Sequence, residues 1–362
     1  MKLRNTAFVV ALSLVPNGQP LFTGTGVALT TAGVILSTSQ KGQAESAVFY
    51  YKRGIEKYDA GNYSVAISDY TKAIEINPKY ANAFNNRGLA KYSLKDYLGA
   101  MSDYNKAIDI NPKYEIAYNN RASLKILLKN YSAAISDCTK ALEINPKSIE
   151  SYNNCGFAKR KLKDYSGALS DLNKALKIDA KYAGTYVNIG TVKHDLKDYS
   201  GAISNYNKAL EINPKLALAY SNRGITKRKL GDNSGAISDY NKAIEINPNN
   251  ADSYVNRGAV KNKLKDHKGA ISDFTKALEI NPKLAIAYYN LGREYFILGD
   301  WSAVISNNNK AIKINPKLTV AYINRGIAKE NIGDMKGACS DWGEASSLGD
   351  KNATQWVKDQ CR

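Results

Sequence analysis

The sequence predicts an all-α fold, an α-α superhelix in which antiparallel helix pairs follow one another in series. Two observations predict it. Ile-Asn-Pro recurs with its proline at Pro78, Pro112, Pro146, Pro214, Pro248, Pro282 and Pro316, in steps of 34 residues, or 68 where Ala180 replaces the proline. Asn-Arg-Gly keeps the same beat at 86–88, 222–224, 256–258 and 324–326. A period of this length belongs to helical hairpins that cannot bury an apolar face without their neighbours. Such stacks share one quasi-continuous core and offer an extended surface to other chains.

Placing Pro78 at position 32 of a 34-residue unit starts nine repeats, at Ala47, Ala81, Glu115, Ile149, Ala183, Ala217, Ala251, Ala285 and Thr319. They fill 45–352, behind a leader at 1–44 and ahead of a capping helix at 353–362. In the first helix of a unit, position 4 is aromatic from Tyr50 to Tyr322, and position 8 is Gly except for Ala122. With position 11 these residues are spaced i, i+4, i+7 and share one helix face. The turn carries Lys-Asp-Tyr or Gly-Asp, as at 95–97 and 299–300, and its Asp is placed to cap the second helix. In the second helix, position 20 is Ala except for Val304, and position 27 is Ala from Ala73 to Ala345. Small residues at positions 8, 20 and 27 let the two backbones approach, and the aromatics common at positions 4 and 24 fill the space beside them. Asn-Pro ends the second helix, because the residue before proline is pushed out of the α region.

The pattern resembles the tetratricopeptide repeat, whose signature runs aromatic-x2-Leu-Gly-x2-Tyr, then Ala-x3-aromatic, then Pro. This chain has Tyr254-x2-Arg257-Gly258-x2-Lys261, then Ala270-x3-Phe274, then Pro282. The resemblance runs from Ala47 to about Asn352, with Arg where the signature has Leu and Lys where it has Tyr. Internal comparison explains the arginine. Repeats 1, 2, 3, 6, 7 and 9 have Arg at position 7 and Asp at position 23: Asp69, Asp103, Asp137, Asp239, Asp273 and Asp341. Where Ile189 and Leu291 replace the Arg, position 23 becomes Asn205 and Asn307. Only repeat 4 departs, with Cys155 alongside Asp171. An ion pair inside each hairpin is expected.

The end of the stack needs a cover. Position 26, Lys in the other repeats, becomes Glu344 in the last, and the following helix carries Trp356. The four cysteines form no C-x-x-C pair, and His194 and His267 lie far apart, so no metal site and no cofactor are expected. Their positions suggest two disulfides, Cys138–Cys155 where neighbouring hairpins meet and Cys339–Cys361 at the cap. Four idle thiols are the alternative.

In the leader, Lys2 and Arg4 precede an apolar run, Ala7 to Val15, that 16–20 breaks before a second, Leu21 to Leu36. A charged start and a short apolar region read as a secretory signal, with small residues at 42–44 or 30–32 for cleavage. The expected location is exported, either periplasmic or anchored to the envelope. An uncleaved anchor and a cytoplasmic leader stay open.

The first helices carry the candidate functional residues. Asn86, Asn120, Asn154, Asn188, Asn222, Asn256, Asn290 and Asn324 all occupy position 6, about 200° around the helix from position 8. They are expected to face away from the hairpin core and to line a trough. An amide both donates and accepts, so such a ladder can hold an extended backbone whatever its sequence. It is similar to the asparagine ladder in the repeat region of O-linked N-acetylglucosamine transferases, whose catalytic domain is not expected in the residues after the last repeat, 353–362. At positions 12 and 13 the trough runs from apolar residues in repeats 1 to 3 to basic ones: Arg160, Lys161, Arg228, Lys229 and Lys263. With a net charge of +18, the expected partner is a protein presenting an extended and partly acidic segment. A membrane is expected to be met only through an uncleaved leader. A basic helical-repeat protein that binds nucleic acid is the alternative, although no base-reading pairs recur once per unit. No paired carboxylates converge and no glycine-rich loop follows a strand, so no enzyme is expected.

Overall fold

The structure, a computed structural model, describes residues 38–361, with side chains from residue 46; the residues before 38 lie outside the described residues. The described residues form helices only, and they divide into two compact units at Asp198 and Tyr199. The first unit holds hairpins α1 (Thr38–Asp59) with α2 (Tyr63–Ile76), α3 (Ala81–Ser93) with α4 (Tyr97–Ile110), α5 (Glu115–Leu127) with α6 (Tyr131–Ile144), and α7 (Ile149–Lys161) with α8 (Tyr165–Ile178), followed by α9 (Ala183–Asp195). The second begins with α10 (Tyr199–Ile212) and continues with α11 (Ala217–Lys229) and α12 (Asn233–Ile246), α13 (Ala251–Lys263) and α14 (His267–Ile280), α15 (Ala285–Ile297) and α16 (Trp301–Ile314), α17 (Thr319–Asn331) and α18 (Met335–Ser347), and finally α19 (Lys351–Gln360). Within each unit, consecutive helices pack against one another.

Two boundaries differ from expectation. Helix α1 begins at Thr38, so the chain is already helical through 42–44, one of the two candidate cleavage stretches. The other, 30–32, lies outside the described residues. The terminal helix starts at Lys351 rather than 353, because Asp350 caps it by accepting a hydrogen bond from the Ala353 amide at 2.8 Å.

Hairpin packing follows from residue size. A Cβ added to Gly88 would lie 2.8 Å from the Tyr104 ring, and one on Gly258 would lie 2.8 Å from Phe274. Position 8 therefore sets how closely the position 24 side chain can approach. The exceptional Ala122 sits opposite a smaller position 24 residue, Cys138, and both are buried. Ala100, Ala134, Ala168, Ala236 and Ala270, all at position 20, are fully buried.

Most hairpin turns do two jobs. At the end of α3, Lys95 N–H donates to the Tyr92 carbonyl at 2.9 Å and Asp96 N–H to the Lys91 carbonyl at 2.9 Å, which satisfies the helix end. Asp96 then caps α4, its Oδ1 accepting the Gly99 amide at 2.9 Å. This turn requires a left-handed residue at position 15. Gly61, Gly231, Gly299 and Gly333 supply it at φ 75° to 86°, but Lys95, Lys129, Lys163, Lys197 and Lys265 adopt φ 61° to 65° in the other repeats. After each second helix but the last, an Asx turn closes the loop: Asn77 Oδ1 accepts the Lys79 amide at 3.1 Å. Where Ala180 lacks the proline ring, Asp179 makes the same bond to Lys181 at 2.7 Å.

The last apolar face is closed by α19. Trp342 is buried with Ala353, Trp356 and Val357 around it, the two indole rings lying 5.5 Å apart.

A left-handed conformation costs an L-residue roughly 1 kcal/mol or more, part of which glycine returns as backbone entropy in the unfolded chain. Lys129→Gly and Lys163→Gly should each raise the thermal midpoint, with a gain of about 0.5–1 kcal/mol per site. A lower midpoint in both variants would contradict the turn geometry. Ala270→Leu should overpack the seventh hairpin and cost about 1–3 kcal/mol by chemical denaturation.

Candidate partner-binding face

The residues expected to be structural form one recurring node. Arg87 donates from Nε and Nη2 to the two oxygens of Asp103 at 2.9 and 2.7 Å, and Lys91 adds Nζ at 2.8 Å. The same carboxylate takes Arg and Lys together at Asp137, Asp239, Asp273 and Asp341. Asp69 takes Arg53 alone among the salt bridges. These Asp side chains are almost completely buried, at 2–4 % exposure. The position 11 lysine, which departs from the family signature, thus supplies a further donor that one buried carboxylate can accept.

From the second repeat onward each of these arginines also joins two hairpins. Its Nη1 reaches position 25 of the preceding repeat: Arg87 to Thr71 Oγ1 at 3.1 Å, Arg121 to Asn105 at 2.7 Å, and Arg257 to Asn241 at 2.7 Å. Its guanidinium covers the position 4 ring, 5.3 Å from the centroid of Phe84 and 5.4 Å from that of Tyr254. Where Leu291 replaces arginine, Asn307 turns back onto its own helix and donates to the Ala303 carbonyl at 2.8 Å. In repeat 4, Asp171 is held by Lys159 at 2.6 Å, and Cys155 is bonded to Cys138 with Cα atoms 5.7 Å apart. Cys339 and Cys361 join α18 to the end of α19, with Cα atoms 5.5 Å apart.

The asparagine ladder requires a correction. In the first unit these amides do not line an open trough; they bond the first helices to one another. Asn86 donates to Tyr51 Oη at 3.1 Å, Asn120 to Asn85 Oδ1 at 3.0 Å, Asn154 to Asn119 Oδ1 at 2.6 Å, and Asn188 to Asn153 Oδ1 at 2.8 Å. All four are buried. The reason is register: position 6 of one first helix meets position 5 of the preceding one, so an acceptor at position 5 draws the amide inward. The doublets Asn85-Asn86, Asn119-Asn120 and Asn153-Asn154 carried that signal in the sequence.

In the second unit position 5 loses its amides, becoming Ser221, Val255, Tyr289 and Ile323. Asn222 is still buried, whereas Asn256, Asn290 and Asn324 are half-buried. No internal hydrogen bond engages these last three side chains among the described residues.

The basic residues also divide. Arg160 was expected to be open, but it is 5 % exposed, donates to Asp195 at 2.7 Å, and lies 5.1 Å from the Phe157 ring centroid. It is a link between α7 and α9. Lys161 is half-buried beside it; burial first, and then the Arg160 charge, pull its pKa below the usual lysine value. In the second unit Arg228 is half-buried and Lys229 and Lys263 are exposed.

Two features of the second unit were not anticipated. Glu294 occupies position 10, an apolar or small residue in most repeats, and is buried. It accepts from Asn262 Nδ2 and pairs with His267 Nδ1, the latter at 2.9 Å, tying α15 to the seventh hairpin. The first helices α15 and α17 expose apolar side chains, with Ile286 at 46 %, Ile297 at 51 % and Val320 at 39 %. No described helix is long and apolar enough to cross a membrane.

If the node is one unit, Asp239→Asn should cost about 3 kcal/mol, because it leaves Arg223 and Lys227 without their buried carboxylate. Adding Arg223→Leu recreates the Leu and Asn pairing of repeat 8 and should recover more than half of that loss. Additive losses in the double variant would contradict the coupling.

Profiles described as TPR repeat match residues 54–95, 192–231 and 226–265, and profiles described as tetratricopeptide repeat match 81–114, 116–148, 149–182 and 251–284. No curated protein matches the sequence. A tetratricopeptide repeat protein from Parabacteroides merdae is similar in structure with a TM-score of 0.59 at 21% identity, over 69% of this chain and 99% of that one. A chain of the APC/C hetero-tetramer Cut9-Hcn1 gives 0.59 at 15% identity, over 87% of this chain and 76% of that one. Pseudomonas aeruginosa pilF gives 0.50 at 19% identity, over 57% and 94% respectively. At these identities the likeness is one of fold.

Proposed function

This chain belongs to the tetratricopeptide-repeat family, and from that premise we infer that it is a non-catalytic scaffold that holds extended, partly acidic segments of partner proteins. The family supports protein–protein interaction in general. The finer reading is supported by one observation: Asn256, Asn290 and Asn324 leave their amides available on successive first helices of the second unit, beside exposed Lys229 and Lys263. Amides pair with peptide groups regardless of sequence, and the lysines add attraction for carboxylates. The first unit supports the scaffold differently, since its equivalent amides serve cohesion.

A photo-crosslinking residue at 290 or 324, introduced in the native cell, should give protein adducts. The same residue at 143, on a second helix, should give none. Equal adducts at all three positions would contradict a specific face. Binding that tolerates any sequence and falls steeply with salt would instead favour the nucleic-acid reading.

We also propose an oxidising location, supported by the geometry that seats both cysteine pairs and by the charged and apolar leader. Mature protein denatured without reductant should show no free thiol, and four after reduction. Four before reduction would overturn this location.

A further inference from the structure

We propose that the first helices of repeats 8 and 9 form an apolar seat that selects partner segments carrying two large apolar side chains three residues apart with a carboxylate beside them. This deepens the scaffold reading and rests on it. The seat is built from Ile286 and Tyr289 on α15 and Val320 on α17, on the face that also carries Asn290 and Asn324, with Ile297 about 16 Å further along α15.

Three observations identify the occupant. The first is apolar exposure on a face that is largely closed elsewhere. At position 5 the first unit buries Asn85, Asn119, Asn153 and Val187, whereas Tyr289 and Ile323 remain half-buried, with Ile286 and Ile297 about half exposed on the same face. The second is charge. Arg293 is exposed between the apolar residues, 6.0 Å from the Tyr289 ring centroid, and no carboxylate of the chain pairs with it among the described residues. A partner carboxylate complements it. The third is the pair of open amides at Asn290 and Asn324, one on each helix. A helical partner has its peptide groups already paired along its length, so amides of this kind favour an extended backbone.

Spacing then fixes the period. Packed helices lie roughly 8–10 Å apart. A segment in the polyproline II conformation advances about 3.1 Å per residue and repeats its orientation every three residues, about 9 Å per turn. Such a segment returns one side chain to each successive first helix. A β-strand, with its two-residue alternation, falls out of step with that separation.

The test uses the full chain with its disulfides intact and a displayed library of random 12-residue peptides. The expected enriched sequences carry two large apolar residues at i and i+3 with Asp or Glu adjacent. Their affinity should fall at least tenfold with Ile286→Asp, Val320→Asp or Arg293→Glu, and should not change with Lys106→Glu on the second helix α4 of the first unit. These side chains are half-buried or exposed, and helical content and thermal midpoint, measured for each variant, confirm that it is folded. Enriched peptides that ignore the second-unit substitutions, or that show no i, i+3 apolar pair, would overturn the seat and leave peptide capture standing. A library that yields no binder at all would overturn both.

Discussion

A carboxylate buried at position 23 must be satisfied from its own hairpin, and the arginine that satisfies it reaches into the hairpin before. Everything else in the stack is arranged around this requirement. Asp103, Asp137, Asp239, Asp273 and Asp341 each receive a forked guanidinium and an ammonium, and each guanidinium spends its remaining nitrogen on the preceding second helix. A lysine at position 7 could not do this, because it has no planar fork to divide between two partners. The node therefore sets the register of successive hairpins as well as the geometry within one. It also accounts for part of the positive charge: many of the basic residues that raise the net charge to +18 are committed to the fold.

Much of this was legible in the sequence because the repeat supplies its own controls. Arg and Asp vary together across repeats, so Asn307 beside Leu291 is as informative as Asp273 beside Arg257. Helix ends were legible from Asn-Pro and from the capping Asp at position 16. The left-handed lysine at position 15 was not, since lysine there contradicts the ordinary preference for glycine; only its alternation with Gly61 and Gly231 hinted at it. Glu294 was invisible because nothing in a helical pattern distinguishes a buried glutamate from a solvated one until its partners, Asn262 and His267, are seen beside it.

The candidate site was legible in residue type and misread in orientation. A helical wheel places position 6 about 200° from position 8, which is the side away from the partner helix of the same hairpin. It says nothing of the neighbouring first helix that occupies part of that side. In the first unit it is a second residue, at position 5 of the preceding repeat, that holds the amide inward. Asn85, Asn119 and Asn153 take it inward; Val255 offers no acceptor and leaves Asn290 outward. The same logic moved Arg160 from an open face to an ion pair, because Asp195 stands at the matching place one repeat on.

The two units thus use one repeat for two ends. In the first, polar groups between first helices are spent on cohesion, with a buried disulfide taking the place of one arginine node. In the second, Asn256, Asn290 and Asn324 have no internal hydrogen bond among the described residues, and apolar side chains emerge beside them. The most direct test of that division is hydrogen exchange at the asparagine side-chain amides, followed by NMR on the free protein. Slow exchange at Asn120, Asn154 and Asn188 with fast exchange at Asn256, Asn290 and Asn324 is the predicted result. Equal protection in the two sets would contradict it, because the second unit would then have no amides left to offer another chain.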